Sequence, residues 1–153
     1  MSQIYSHAGD KFYISTTAQN ADLDESGFDG LSFTQVGKVG SIGEFGITTN
    51  MLTYDTLDTV VAQKAKGITN AGDPPIECAR DDDDAGQTAM RTAGAPTVYD
   101  SYAYKVLRQD GSIDYLRGLC TGPVSPNGRN EDFDLHMFTL GLVQAPVHKD
   151  ASP

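Results

Sequence analysis

Four consecutive carboxylates, Asp81-Asp82-Asp83-Asp84, are the densest run of chemistry-bearing side chains in the sequence. Carboxylate oxygens at that spacing suit a hard cation such as calcium or magnesium. No further acidic residue is spaced to complete a coordination shell, so a solvated acidic turn that caps the following helix is the better expectation. A third possibility is that these acids line a negatively charged surface shared by several subunits. Asp22-Leu23-Asp24-Glu25-Ser26-Gly27 opens like an EF-hand loop, but its twelfth position is Phe33, where a bidentate glutamate is needed. His7, His136 and His148 have no neighbours at metal-ligand or catalytic-triad spacing. His136 falls inside an expected strand, as a polar side chain at a sheet face or interface, and the other two lie near the chain ends. Cys78 and Cys120 make neither a disulfide framework nor a zinc site. Two small buried apolar residues are expected there, with a single bridge between them as the alternative. No Gly-x-Ser-x-Gly, His-Glu-x-x-His or Walker-type loop is present, and nothing in the sequence asks for catalysis or a cofactor.

The elements that must carry these residues are mostly strands. Lys11–Ser15 is a short strand candidate, and Thr16–Gly30 is rich in Asn, Asp, Ser and Gly, which predicts a loop. Leu31–Val36 alternates apolar with polar, the mark of a strand with one buried face. Gly37, Gly40 and Gly43 predict tight turns or bulges, and Glu44–Thr48 a weak strand. Thr49–Thr59 lacks periodicity yet holds Met51, Leu52, Tyr54 and Leu57, so it predicts a long loop with apolar residues. Val60–Gly67 suits a strand better than a helix because Val60 and Val61 are β-branched. After a turn at Thr69–Pro75, Ile76–Arg80 is a strand. Ala85 to about Thr92 is a helix, started by Asp83 or Asp84 as N-cap and ended by Gly94 and Pro96. It is the one helix expected.

The Ser101–Cys120 segment predicts a hairpin around a two-residue Asp110-Gly111 turn of type I′. That loop pairs Gln109 with Ser112, Val106 with Tyr115 and Tyr102 with Leu119. Tyr102, Tyr104, Val106, Ile113, Tyr115 and Leu119 would then share one face. The opposite face, with Lys105, Leu107, Asp114 and Leu116, is mixed enough to need a cover of its own. Gly122–Asn130 predicts a loop and Phe133–Val143 the last strand. Its apolar residues switch from odd to even positions near Met137-Phe138, which a bulge or burial of both faces would explain.

The 153 residues suit one domain, with flexible ends over about 1–8 and 145–153. A net charge of −10 argues against a nucleic-acid-binding footprint and against adsorption to anionic lipid. An acidic wall repels phosphate, however, which suits a conduit. No secretory leader or membrane-length apolar run is evident, which predicts a soluble protein made in the cytosol.

The order of elements and several strings resemble the major tail tube proteins of long-tailed, siphovirus-like bacteriophages, a family that includes prophages and phage-like gene transfer agents. The strings are Gly43-Glu44-Phe45-Gly46-Ile47-Thr48-Thr49-Asn50, then Ile76-Glu77-Cys78-Ala79-Arg80-Asp81, then Asp84-Ala85-Gly86-Gln87-Thr88-Ala89-Met90, followed by the Tyr102–Leu119 hairpin and a final strand. The resemblance spans about Leu31 to Val143.

It implies a mainly β fold: a β-sandwich or partial barrel with one short flanking helix and a long projecting loop. It further implies a non-enzymatic structural subunit with no cofactor, forming stacked homohexameric rings around a conduit for DNA. Partners would be other copies, with tape measure, terminator and distal tail proteins at the tube ends and interior. DNA would pass without specific binding, and no membrane is implied. The location would be the virion tail, after synthesis in the host bacterial cytoplasm. Thr49, Asn50, Met51, Leu52, Tyr54 and Leu57 would touch neighbouring subunits or rings, and Asp81, Asp82, Asp83 and Asp84 are candidates for the lumen. The alternative is a β-sandwich binding module for carbohydrate or virion-surface adhesion, for which the absence of Trp counts against a sugar platform. A small metal-dependent hydrolase built on the acidic run is a third.

Overall fold

Alternation in Lys11-Phe12-Tyr13-Ile14 sets the pattern of the whole molecule: Phe12 and Ile14 are fully buried, while Lys11 is exposed and Tyr13 half-buried. In the computed structural model, which describes residues 3–58 and 60–151, this segment is β1 (Lys11–Ala18). It is followed by α1 (Glu25–Asp29), β2 (Phe33–Val36), β3 (Val39–Ile42), β4 (Thr48–Tyr54), β5 (Gln63–Asn70), β6 (Pro75–Ala79), α2 (Ala85–Ala93), β7 (Tyr102–Leu107), β8 (Ile113–Val124), β9 (Leu135–Leu142) and β10 (Val147–Lys149). Residues 1–2, Thr59 and 152–153, parts of the expected flexible ends and projecting loop, lie outside the described residues.

Seven strands form an antiparallel path in the order β2-β1-β7-β8-β9-β6-β3, with β10 added to β8. The first and last strands of that path are consecutive in the chain, joined only by Gly37 and Lys38, whose φ is 58°. The sheet therefore curls back towards itself, the sandwich or partial barrel expected. Phe12, Ile14, Val36, Ile76, Cys78, Tyr104, Val106, Leu116, Phe138 and Leu140 fill the space, and Met90 and Ala93 of α2 complete it. A smaller cluster of Phe28, Ala103 and Tyr115 lies on the alternate side chains of the same strands, covered by α1. Phe28 stacks on Tyr115 with ring centroids 4.9 Å apart, and the Tyr115 hydroxyl donates to Asp29 at 2.6 Å.

Several expectations need correction. The Asp110-Gly111 hairpin is one residue out of the expected register: Val106 faces Asp114, Tyr104 faces Leu116 and Tyr102 faces Gly118. Arg108 N–H donates to Ser112 O, and Gly111 N–H returns to Arg108 O with Gly111 at φ 94°. The loop thus has three residues, with glycine in the left-handed position, not the two of a type I′ turn. The predicted stripe splits accordingly: Tyr104 and Val106 join the main core with Leu116, whereas Ile113 and Tyr115 join the cluster under α1. Both faces are covered, as the mixed composition of the second face suggested.

Within Thr16–Gly30, expected to be loop, Asp24 caps α1 by accepting from Gly27 N–H at 2.8 Å. Val39–Ile42 is a strand despite Gly40, while of the strand expected over residues 44–48 only Thr48 is in a strand, as the first residue of β4. In β9 the core side is even-numbered throughout (His136, Phe138, Leu140, Leu142), and β9 runs against β6 without a shift. The irregularity lies in its partner β8, between Thr121 and Val124. Chain beyond Ala145, expected to be a tail, pairs with β8 over Val147–Lys149.

Candidate functional site

The segment expected as a projecting loop is a β-hairpin. Thr48 to Tyr54 pairs antiparallel with Gln63 to Asn70 as a two-stranded sheet separate from the main one. It grows from the margin of the main sheet, because its two ends lead from β3 and into β6, which pair with each other. Gly43 N–H to Pro75 O at 2.7 Å and Gly46 N–H to Ala71 O at 3.0 Å continue the ladder between the two. Apart from Thr49 and Gly67, every residue of β4 and β5 is exposed. The side-chain hydroxyls of Thr49 and Thr69 bond each other at 2.9 Å near its base.

Cross-strand pairing sets its two faces. Met51 opposes Lys66 and Thr53 opposes Lys64 on one; Leu52 opposes Ala65 and Tyr54 opposes Gln63 on the other. Of the residues singled out in the sequence, Thr49, Asn50, Met51, Leu52 and Tyr54 lie along β4, and Leu57 stands fully exposed in the turn beyond. Met51 is 58% exposed and Tyr54 73%. Val60, Val61 and Ile68, which the sequence argument did not single out, are equally uncovered. So are Lys64 and Lys66; the polar–small alternation of Lys64-Ala65-Lys66-Gly67 was the available signal.

The acidic run at the β6–α2 turn is split among structural tasks. Asp81 accepts from Lys38 Nζ at 3.3 Å and from Asp83 N–H at 3.1 Å; the latter bond chiefly, then Lys38, pulls its carboxyl below the usual range. Asp82 pairs with Arg80, which also reaches Asp134. Asp84 is the N-cap, accepting from Gln87 N–H at 2.9 Å and from Gly37 N–H at 3.0 Å. Asp83 is exposed. No group of three His, Cys, Asp or Glu side chains that could hold a metal occurs among the described residues. The calcium-like string is likewise dispersed: Asp22 pairs with buried Arg117, Asp24 caps α1 and Phe33 belongs to β2.

Cys78 and Cys120 are free and buried, and burial pushes the Cys120 thiol up to about 12. His136 is buried opposite Cys78 on the core side of β9. His148 bonds Asp114 at 2.7 Å and so fastens β10 to β8. A cleft of about 430 Å³ lies beside β3, lined by Val39, Ile42, Glu44, Phe45, His7, Asp10 and Arg108. Two of its charges are engaged, Asp10 by His7 at 2.9 Å and Arg108 by Asp114 at 2.7 Å.

No protein-family model matches the chain, and no curated protein matches it in sequence. Solved structures do match in fold. A chain of the sheath/tube terminator of an extracellular contractile injection system, PVC, in its extended state superposes with a TM-score of 0.67 at 8% identity, over 97% of this chain and 99% of that one. A chain in the baseplate of the anti-feeding prophage AFP gives 0.63 at 9% identity, over 100% and 99%. One in the AFP tube terminating cap gives 0.61 at 12%, over 99% and 95%. At such identities the likeness is one of fold, and it extends over essentially the whole of each chain.

Proposed function

We propose that this chain is a structural, non-catalytic subunit of a phage-type tail, whose copies form rings that stack into a hollow tube for DNA delivery. The observation that carries this is the β4–β5 hairpin. An isolated two-stranded hairpin is marginal in water, and this one displays Met51, Leu52, Tyr54 and Ile68 to solvent, with Leu57, Val60 and Val61 in its turn. Covering those seven side chains, at roughly 1–2 kcal/mol each, contributes about 10 kcal/mol. That is comparable with the roughly 4–15 kcal/mol that association costs, so the hairpin can drive docking but needs a repeated partner surface. A ribbon that leaves one body for another makes a head-to-tail contact, and head-to-tail contacts permit rings and open-ended stacks. The full-length fold likeness to chains of a contractile injection system's sheath/tube terminator and of the anti-feeding prophage baseplate and cap supports the same conclusion.

We take Thr49, Asn50, Met51, Leu52, Tyr54 and Leu57 as contacts to neighbouring copies, the ring as hexameric, and the particle as a long-tailed phage, prophage or gene transfer agent. Tape measure, terminator and distal tail proteins would meet the tube at its ends and interior. Some of Asp81–Asp84 are assigned to the bore, where negative charge would let DNA slide without being held. The test is electron microscopy of the purified protein beside a variant in which residues 48–70 are replaced by a short Gly-Ser linker. Rings or tubes of uniform diameter from the first, and a folded monomer from the second, are expected. A wild-type protein that stays monomeric at every concentration, or tubes that form without the hairpin, would overturn the proposal. A structure of the assembled tube with all four acids outside would remove their assignment to the bore.

A further inference from the structure

We infer that the hairpin face bearing Met51, Thr53, Lys64 and Lys66 is the one that seats on a second copy of this chain, held there by charge. The inference rests on the structural-subunit proposal and names the chemistry of its contact. Cross-strand pairing puts Lys66 beside Met51 and Lys64 beside Thr53, so both ammonium groups project from one face. The opposite face, with Leu52, Tyr54, Gln63 and Ala65, carries no charge. All four residues of the lysine face are exposed, and neither lysine forms an ion pair among the described residues.

Charge bookkeeping supplies the partner. Residues 48–70 hold two acids, Asp55 and Asp58, and two bases, Lys64 and Lys66, so the hairpin is neutral as a whole. The entire net charge of −10 therefore belongs to the remaining body. Lys64 and Lys66, neither of them in an ion pair among the described residues, put two positive charges on one face of a neutral ribbon and complement that body. The reverse seating would leave both ammonium groups in solvent and forgo that attraction. Between two whole molecules the like net charges repel, but about 0.1 M salt already screens that repulsion beyond about 10 Å, whereas the contact attraction of the lysine face persists until the Debye length falls to about 3 Å. Assembly is then screened by salt in a way that purely apolar docking is not.

The experiment measures the critical concentration for assembly by sedimentation and negative-stain imaging, for the wild type and for K64E/K66E. It is run at about 0.1 M and about 1 M NaCl, a change that shortens the Debye length from about 10 Å to about 3 Å. The wild type should require on the order of tenfold more protein at the higher salt. K64E/K66E should remain a folded monomer by circular dichroism, because both sites are exposed, and should fail to assemble at the lower salt. In trace amounts it should slow wild-type growth, since its body still accepts a neighbour's hairpin while its own hairpin cannot dock. If the double variant assembles like the wild type with the same salt dependence, this inference is wrong and the structural-subunit proposal stands. If the wild type never assembles, both fall together.

Discussion

Replacing Gln87 with Leu tests how the curled sheet is closed. Gln87, the third residue of α2, directly follows Gly86 and is fully buried. Its Nε2 donates to Gly37 O at 2.9 Å and to Ala79 O at 2.8 Å, and its Oε1 accepts from Asp81 N–H at 3.0 Å. One side chain thus ties the helix to the β2–β3 turn and to the end of β6, the place where the two ends of the strand path approach. Gln87→Leu keeps helix propensity and approximate volume but strands three half-buried backbone groups. At about 1–1.5 kcal/mol each the loss is roughly 3–4.5 kcal/mol, offset by about 1 kcal/mol of added apolar burial. A net loss of about 3 kcal/mol in a domain of this size lowers Tm by roughly 6–12 °C. Differential scanning calorimetry of the monomer measures it. Amide exchange at Asp81 gives a local readout, because that N–H loses its acceptor. A Tm change under about 2 °C, or an Asp81 amide as protected as before, would refute the reasoning.

Gly86→Ala should destabilise by at least about 2 kcal/mol, because an added Cβ would stand 2.1 Å from Gln35 O and 2.5 Å from Val36 Cα; thermal denaturation reads it. His148 is held above its ordinary value of 6.5, first by its hydrogen bond to Asp114 and then by the charges of Asp114 and Asp150. A raised value means that the contribution of this contact is complete below about pH 6.5 and is lost as pH rises through the raised value. Exchange of the β10 amides, corrected for intrinsic rates, should therefore accelerate between pH 6 and pH 9, and His148→Ala should abolish that dependence.

The legible parts of this sequence are those where local chemistry and tertiary need agree. Asp84 was visible as a cap and Gly94 as a stop because both act on neighbours in the chain. What Gly86 and Gln87 do was not visible, since their partners lie on β2, β3's turn and β6. The Asp110-Gly111 turn was found but its register was not: whether two or three residues bridge the strands depends on the left-handed glycine and on which faces the rest of the fold covers. The five-residue α1 is too short to show periodicity, and its capping aspartate looked like a calcium ligand. β4 escaped for the opposite reason: with both faces in solvent, no burial pattern is imposed on Thr48–Tyr54, so apolar and polar residues follow each other without alternation.

The hairpin's roots carry a mechanical consequence. A pull on β4 or β5 passes first into β3 and β6, then through β9 to β8, the twelve-residue strand shared with β7 and β10. Beyond the root the load passes to longer strands, from four and five residues in β3 and β6 to eight in β9 and twelve in β8, each hydrogen-bonded to its neighbour along its length. A particle built from such units would give way where ribbon meets neighbour, leaving every body intact and able to rejoin.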